Sequence, residues 1–411
     1  MAEDPPSQRA SISGVAHKRA DCLSNKKRSL RISVAPWSAT LLLLYCHGSW
    51  SNSIVVAVAL SVFSFIILAA DRFLLVSTRG LRAILIIQLF SALSILWSVD
   101  WLLTARASTS LWFEVSMGSW LSWCASTREG PRPLILASKF LILSSFAIGA
   151  YQLASTGLPA DGGWHGPFSS KNELGLFAAF AGALANSFGS RIQRFFWTGS
   201  CCLLIVLSTS KTSLVALLLV LAAQEVGRAL LLPRESVRST RKWLFVPTML
   251  AIGGGCYFFS GDLLQALGKD PTLTNRTEIW AVSLETWAGN RIVGDGLGAT
   301  FYPGSEMQTA IRSVGGPAIY TVHNGYLSVY FGLGAVGLLL LMMLVAQVTR
   351  LTWRSLDRTS HGIEPAITWS VGTLCAYLVT CFSEDVSLSR GSVFMLVGAA
   401  VYLKKVLSSR A

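Results

Sequence analysis

Charge is scarce in this sequence. Asp, Glu, Lys and Arg make up 13% of its 411 residues, about half the share of a soluble domain. Hydrophobic residues make up 52%, and mean hydropathy is +0.53. That balance excludes a soluble enzyme and a disordered chain. Cysteine occurs eight times, but never as C-x-x-C and never clustered with His. Cys22, Cys46, Cys124, Cys201, Cys202, Cys256, Cys375 and Cys381 fall in a basic tail or in apolar runs. A disulfide-stapled secreted domain and a zinc site are therefore excluded. No Walker loop and no G-x-G-x-x-G is present, so ATP and nicotinamide chemistry have no visible site. No basic patch is interleaved with aromatics, so a pI of 9.6 does not point to nucleic acid.

What the sequence has instead is a series of uncharged apolar runs, each long enough to cross a hydrocarbon layer of about 30 Å. The fold class expected is an all-α integral membrane protein with about 12 transmembrane helices. The spans are placed at 34–49, 52–70, 81–98, 107–125, 134–152, 173–189, 195–209, 213–231, 243–260, 325–346, 366–382 and 390–403. The first is interrupted by His47, Gly48, Ser49, Trp50, Ser51 and Asn52. Reading 40–70 as one span gives eleven and puts the two tails on opposite sides. With twelve, and with the span-end residues Arg82, Arg228 and Arg390 counted on the side they border, 25 of the 34 Lys and Arg residues fall on the cytoplasmic side and 8 outside, with Lys139 inside a span. This positive-inside asymmetry puts both termini in the cytoplasm. Five segments follow: a basic cytoplasmic tail (1–33), spans one to nine (34–260), a large outer loop (261–324), spans ten to twelve (325–403) and a second tail (404–411). The loop is the one extramembrane segment large enough to fold by itself.

Four polar clusters stand at the outer ends of spans. Ser170, Lys171, Asn172 and Glu173 open span six, with Ser170 and Glu173 at capping-box spacing. Lys211 lies in the short turn Ser208-Thr209-Ser210-Lys211-Thr212-Ser213. In the loop, Asn275 and Glu278 also have cap spacing around Arg276, and Trp280, Leu284 and Trp287 follow as an amphipathic stripe. His323 and Asn324 open span ten, and imidazole is the side chain suited to taking up a proton near neutral pH. Spans six, eight and ten all start at the outer face, where helix N-termini favour anions. With Lys171, Lys211, Arg276 and Arg291 they are expected to form a site for a phosphate or pyrophosphate. Each cluster alone is as well explained by snorkelling Lys, a surface Arg or a structural His. Gly294-Asp295-Gly296-Leu297-Gly298 reads as tight turns folding the loop back over the site. Glu114 and Lys139 are the clearest charges at depth.

The order of these motifs resembles the O-antigen polymerase/ligase superfamily (Wzy-type) of bacterial envelope glycan enzymes. They are Phe168-Ser169-Ser170-Lys171-Asn172-Glu173-Leu174-Gly175, Leu207-Ser208-Thr209-Ser210-Lys211-Thr212, Asn275-Arg276-Thr277-Glu278-Ile279-Trp280, Gly294-Asp295-Gly296-Leu297-Gly298 and His323-Asn324-Gly325-Tyr326-Leu327. The wording is most similar to exopolysaccharide polymerases of the succinoglycan (ExoQ) type. That family usually has Gly or another small residue where Asn275 precedes Arg276.

The resemblance implies a lipid-donor glycosyltransferase fold in the bacterial inner membrane. It also implies metal-independent, cofactor-free polymerisation of polyprenyl-diphosphate-linked oligosaccharide at the periplasmic face. His323 and Arg276 would be catalytic. Lys171, Asn172, Lys211, Glu278, Arg291 and Asn324 would bind substrate. Membrane lipids, a chain-length regulator and other polysaccharide export proteins are the expected partners. The rival readings are an O-antigen ligase moving finished glycan to lipid A core or another acceptor, and a polytopic transporter or flippase of lipid-linked glycan. A transporter would be expected to carry its polar weight near the bilayer midplane.

Overall fold

The computed structural model describes residues 82–124, 130–157, 162–231, 275–317, 319–356, 364–386, 388 and 391–409. Among these the chain is helical, with no strand. The helices are α1 (Arg82–Leu93, continued by a 3-10 turn over Ser94–Trp97), α2 (Trp101–Cys124), α3 (Arg132–Ser155), α4 (Lys171–Ala185), α5 (Arg191–Leu207), α6 (Lys211–Leu231), α7 (Arg276–Thr286), α8 (Glu306–Gly315), α9 (Gly325–Ser355), α10 (Glu364–Ser383) and α11 (Ser392–Ser408). α3, α9 and α10 are long and apolar enough to cross a membrane. The chain is a multi-pass membrane protein. Helices stand where spans three to eight and ten to twelve are expected. The expected spans at 34–49, 52–70 and 243–260, the tail 1–33 and the loop's first part, 261–274, lie outside the described residues.

Sequence dictates the layering. α4 is apolar or small on every side from Leu174 to Leu184, and all of these residues are buried; such a helix belongs inside a bundle. α3 carries Leu136, Phe140, Leu143, Tyr151 and Leu153 on its exposed surface, which suits a rim facing lipid. α6 and α10 run antiparallel, because Gln224 Nε2 donates to the Thr368 carbonyl at 3.1 Å and Arg228 Nε lies 3.8 Å from Glu364 Oε1. α4 runs parallel to α6: Gly175 abuts Ser210 and Ser213, and Asn186 Nδ2 donates to Gln224 Oε1 at 2.7 Å. α9 opposes α10, with a Thr352–Ser370 hydroxyl pair at 2.7 Å and the Tyr326 hydroxyl donating to the Leu378 carbonyl at 3.2 Å. The starts of α4, α6 and α9 and the end of α10 therefore share one end of the bundle.

Both deep charges have structural partners. Glu114 Oε2 accepts from the Gly391 N–H at 3.1 Å, the residue before α11. A carboxylate there suits the positive end of a helix. Lys139 Nζ stands 5.0 Å above the Trp197 ring, a cation–π contact between α3 and α5.

α9 is two helices in one. Gly334 breaks it with φ 65° and ψ −166°. A break inside a bundle strands carbonyls on one side and N–H groups on the other, at several kcal/mol each if unpaired. One loop pairs four of them. The N–H groups of Asp295 and Gly296 donate to the carbonyls of Phe331 and Gly332, at 3.0 and 2.8 Å. The N–H groups of Ala335 and Val336 donate to the carbonyls of Arg291 and Ile292, at 2.9 and 3.1 Å. The same loop reaches the other way, with the Val99 N–H donating to the Asp295 carbonyl at 3.0 Å. The glycine-rich stretch is thus stitched into a broken helix. This differs from the expected turn folding over the site, and the reason is the demand for backbone partners.

Two helices cap this end. Ile279 of α7 and Met307 and Ile311 of α8 form a separate small core with Val322 and Phe331, and Trp280, Trp287 and Tyr330 pack against it. The expected Trp280–Leu284–Trp287 stripe is split. Trp280 and Trp287 dock on the bundle, whereas Leu284 is 51% exposed and Ile279 and Ser283 are the buried pair. α8 itself was not expected from the loop's sequence.

A Cβ on Gly334 would lie 2.2 Å from the Ile292 carbonyl, and one on Gly294 would lie 2.4 Å from Gly332. Gly334→Ala is expected to destabilise by about 2–3 kcal/mol or more, combining strain and overpacking. Gly157, also at positive φ but with nothing within 4 Å, should cost about 1 kcal/mol when changed to Ala. Thermal melts of the detergent-solubilised variants check the contrast.

Candidate active site

Arg276 is the first residue of α7, and its guanidinium reaches the end of α10. Nη1 donates to the Ser383 carbonyl, and Nη2 lies 3.1 Å from Glu384 Oε1. The other oxygen of that carboxylate, Oε2, lies 3.3 Å from His323 Nδ1. One carboxylate therefore joins the two residues expected to be catalytic. Side-chain exposure is 9% for Glu384, 14% for Arg276 and 28% for His323, so the imidazole is the member open to a substrate. Burial pushes the Glu384 carboxyl up, but the His323 hydrogen bond and the Arg276 charge outweigh it and hold the carboxyl below its usual range. An ionised Glu384 requires the proton of a neutral His323 to sit on Nδ1, which leaves Nε2 as the acceptor.

Trp280 braces all three. It lies one turn after Arg276, donates from Nε1 to the Val322 carbonyl at 2.8 Å, and packs edge-on against Phe382 at 5.4 Å. Val322 precedes His323, and Phe382 precedes Ser383 and Glu384.

Backbone strain gathers here too. Among the described residues, the non-glycine positions at positive φ are Thr209 (56°), Asn275 (63°) and His323 (46°). Each lies in one of the expected clusters. For β-branched Thr209 such a backbone is a true outlier. Residues held this way persist where surrounding contacts over-determine them, often at functional sites. Asn275 does not cap α7 with its side chain, so the expected Asn275–Glu278 box is absent; Nδ2 donates instead to the Val314 carbonyl at 3.3 Å. Its left-handed backbone is one that glycine adopts freely and asparagine tolerates, which accounts for the departure from the family's small residue.

Lys171 and Lys211 form a second pair at the same end. Ser170 caps α4 as expected, its Oγ accepting from the Glu173 N–H at 3.3 Å. The Glu173 carboxylate accepts from the Ser169 N–H at 3.1 Å, one residue earlier than a capping box requires. The Trp164 N–H donates to the Leu207 carbonyl at 3.0 Å. At Gly163 the Lys171 stem and the Ser208–Thr209 turn come together. That turn leads into Lys211, the first residue of α6, whose Nζ is buried. The antiparallel register of α6 and α10 puts Lys211 beside the last turn of α10, where Ser383 and Glu384 follow.

The remaining expected residues are placed differently. Asn172 sits half-buried in the first turn of α4. Asn324 is 5% exposed and caps α9, its Oδ1 accepting from the N–H groups of Tyr326 and Leu327 at 3.0 and 3.1 Å. Glu278 is exposed on the outer turn of α7, and Arg291 is exposed at the break in α9, where its carbonyl is used. Neither joins the Glu384 cluster. Asp295, the turn acid, is half-buried. Burial pushes its carboxyl up, partly offset by the Trp287 indole, which donates to Oδ2 at 2.7 Å. Glu384 was missed by sequence reasoning. Its one available signal was an acid at the outer end of a span, at the same level as an Arg and a His in need of a counter-charge.

A family model described as O-antigen ligase matches residues 195–342, a stretch that includes Lys211, Arg276 and His323. The chain is 26% identical over 309 residues to the exopolysaccharide production protein ExoQ of Rhizobium meliloti (strain 1021), covering 70% of this chain and 68% of that protein. The chain is thus similar, over these stretches, to the O-antigen ligase family and to ExoQ.

Proposed function

We propose that this protein polymerises oligosaccharide repeats carried on a polyprenyl diphosphate, at the periplasmic face of the bacterial inner membrane. Twelve spans with both termini in the cytoplasm, the orientation favoured by charge, put the Glu384 end outside. The observation that carries the reading is the single carboxylate shared by Arg276 and His323. The acceptor sugar hydroxyl attacks the anomeric carbon of the donor and passes its proton to His323 Nε2. The bond from that carbon to the diphosphate oxygen breaks, and the diphosphate leaves with the electron pair. Glu384 holds the imidazole in its Nδ1–H tautomer and balances the imidazolium that forms, as the acid does in a Ser-His-Asp triad. Arg276 faces the growing negative charge with the fork donors that Ser383 and Glu384 leave over, and Lys171 and Lys211 add charge from the neighbouring helix starts. Diphosphate is already a good leaving group, so this route calls on no metal. The products are a longer chain on one lipid and one free lipid diphosphate.

The family model's description favours a second reading, transfer of finished glycan to a different acceptor. The donor half of the site would be unchanged. The glycan profile of cells lacking the protein separates the two. Single repeats without chains are expected for a polymerase; full-length lipid-linked chains lacking their final attachment would overturn that and establish the ligase. Both readings place the chemistry at the bundle's outer end, whereas a transporter would need its polar groups at depth; Glu114 and Lys139 are occupied there with structural contacts.

His323→Ala should lower turnover of purified enzyme about 10²-fold or more, the usual share of a general base, with little change in donor binding. Full turnover would remove the base. Arg276→Lys should impair both turnover and binding, because the planar fork is lost; wild-type kinetics would reduce Arg276 to an anchor for α7.

Glu384→Gln removes the counter-charge of both. Its depressed pKa sets the sign of the pH effect. The carboxylate's contribution to stability is complete above the ordinary glutamate value of about 4.3 and is lost as pH falls below it, toward the lower folded value. The melting difference between wild type and Glu384→Gln should hold between about pH 6 and 8 and close below about pH 4.

A further inference from the structure

Arg106, in the second turn of α2, takes no part in the site above. It is half-buried, and its Nε is sealed from solvent with no hydrogen-bond partner. Among the described residues no ion pair joins it to a carboxylate. The charge sits in a strongly built part of the molecule. Thr104 on the preceding turn bonds Ser98 at 2.6 Å, and the Thr104 hydroxyl and Ala107 side chain abut Gly296 and Gly298 of the loop that repairs α9. Glu114 is eight residues further along the same helix, about 12 Å inward. It is occupied with the Gly391 N–H and gives Arg106 no carboxylate on its own helix. Asp295, the acid of the adjoining loop, is turned to Trp287. Glu384 already holds Arg276 and His323.

A guanidinium half out of water without an anion is costly, and the described residues supply none in ion-pair contact with it. In a membrane protein such a residue marks a ligand or ion path by default. α2 runs parallel to α11 through its Glu114–Gly391 and Gly118–Phe394 contacts. α11 begins just after the segment that starts with Glu384. The N-terminal turns of α2, and Arg106 with them, therefore extend from the Glu114 level toward the same end as Glu384.

We propose that Arg106 is a further ligand-positioning residue, whose missing counter-ion is a phosphate group of a lipid at the outer face. The chemistry has two sources. One is the diphosphate of the glycan carrier, which rests on the function proposed above. The other is the headgroup of a bilayer phospholipid. Arg106 recognises the phosphate as a fork, and it lies on α2, apart from the helix starts that carry Lys171 and Lys211.

The test uses the full-length protein in nanodiscs of neutral lipid, titrated separately with a polyprenyl diphosphate carrying no sugar and with phosphatidylglycerol. The readouts are affinity and melting temperature for wild type, Arg106→Gln and Arg106→Lys. Without ligand, Arg106→Gln should melt higher than wild type, because an uncompensated charge is removed. Its affinity for the phosphate lipid should fall at least about tenfold, the value of a charged hydrogen bond. Arg106→Lys should bind more weakly than wild type and more tightly than Arg106→Gln.

Loss confined to the polyprenyl diphosphate assigns the carrier as the source. Loss confined to phosphatidylglycerol assigns the headgroup. A lower unliganded melt with both affinities unchanged overturns the proposal and makes Arg106 a packing residue. Failure of wild type to bind polyprenyl diphosphate would count against the proposed function, while the phosphatidylglycerol arm would still decide Arg106.

Discussion

A helix cannot be broken inside a membrane bundle unless something else pairs the backbone groups it strands, and this constraint organises the Glu384 end of the molecule. α9 breaks at Gly334, and the loop over 291–296 supplies two acceptors and two donors to the break. That fixes the far end of the loop to the bundle. Its near end is fixed by Trp287, which packs on Tyr330 and Phe331 at 5.0 Å each and bonds Asp295. α7 is then held at both termini: Trp287 at the break, Arg276 at the end of α10. The segment is tethered at separated points, so Arg276 arrives at Glu384 with a defined approach. Apolar burial in the small core around Ile279 and Ile311 adds to this hold without setting the direction.

Within that frame the site is a matter of charge. Glu384 is nearly sealed from water and would be expensive there alone. Arg276 and His323 make it affordable, and it in turn fixes both. Trp280 touches the chain beside each of the three. The positive-φ backbones at Asn275 and His323 show that the polypeptide accepts local strain to put these side chains in place. Lys171 and Lys211 belong to a neighbouring pair of helix starts, one step around the bundle.

Helices were legible in the sequence because uncharged runs of the right length have few alternatives in a lipid bilayer. The Ser170 cap was legible too, since a hydroxyl three residues before a carboxylate is a local signal. The reading failed where the deciding contact is distant. Asn275 resembles a cap, but its left-handed backbone turns its amide to Val314. Gly334 looks like any small residue in an apolar run, and only the loop packed on it reveals the break. Glu384 is 108 residues from Arg276 and 61 from His323, and no local spacing links them. Asn324 shows the converse: a polar residue at the mouth of a span whose acceptor caps its own helix.

The order of these residues along the chain has a consequence for biogenesis. Arg276 and His323 precede α10, whereas Glu384 follows it. During synthesis the arginine and the histidine are made first, and the carboxylate that pairs with both follows only after α10. A chain translated only as far as α10 therefore lacks the anion of this cluster, and α7 lacks its Glu384 anchor. The Arg276–Glu384–His323 cluster is completed in one step, when the end of α10 brings Glu384 to segments already made.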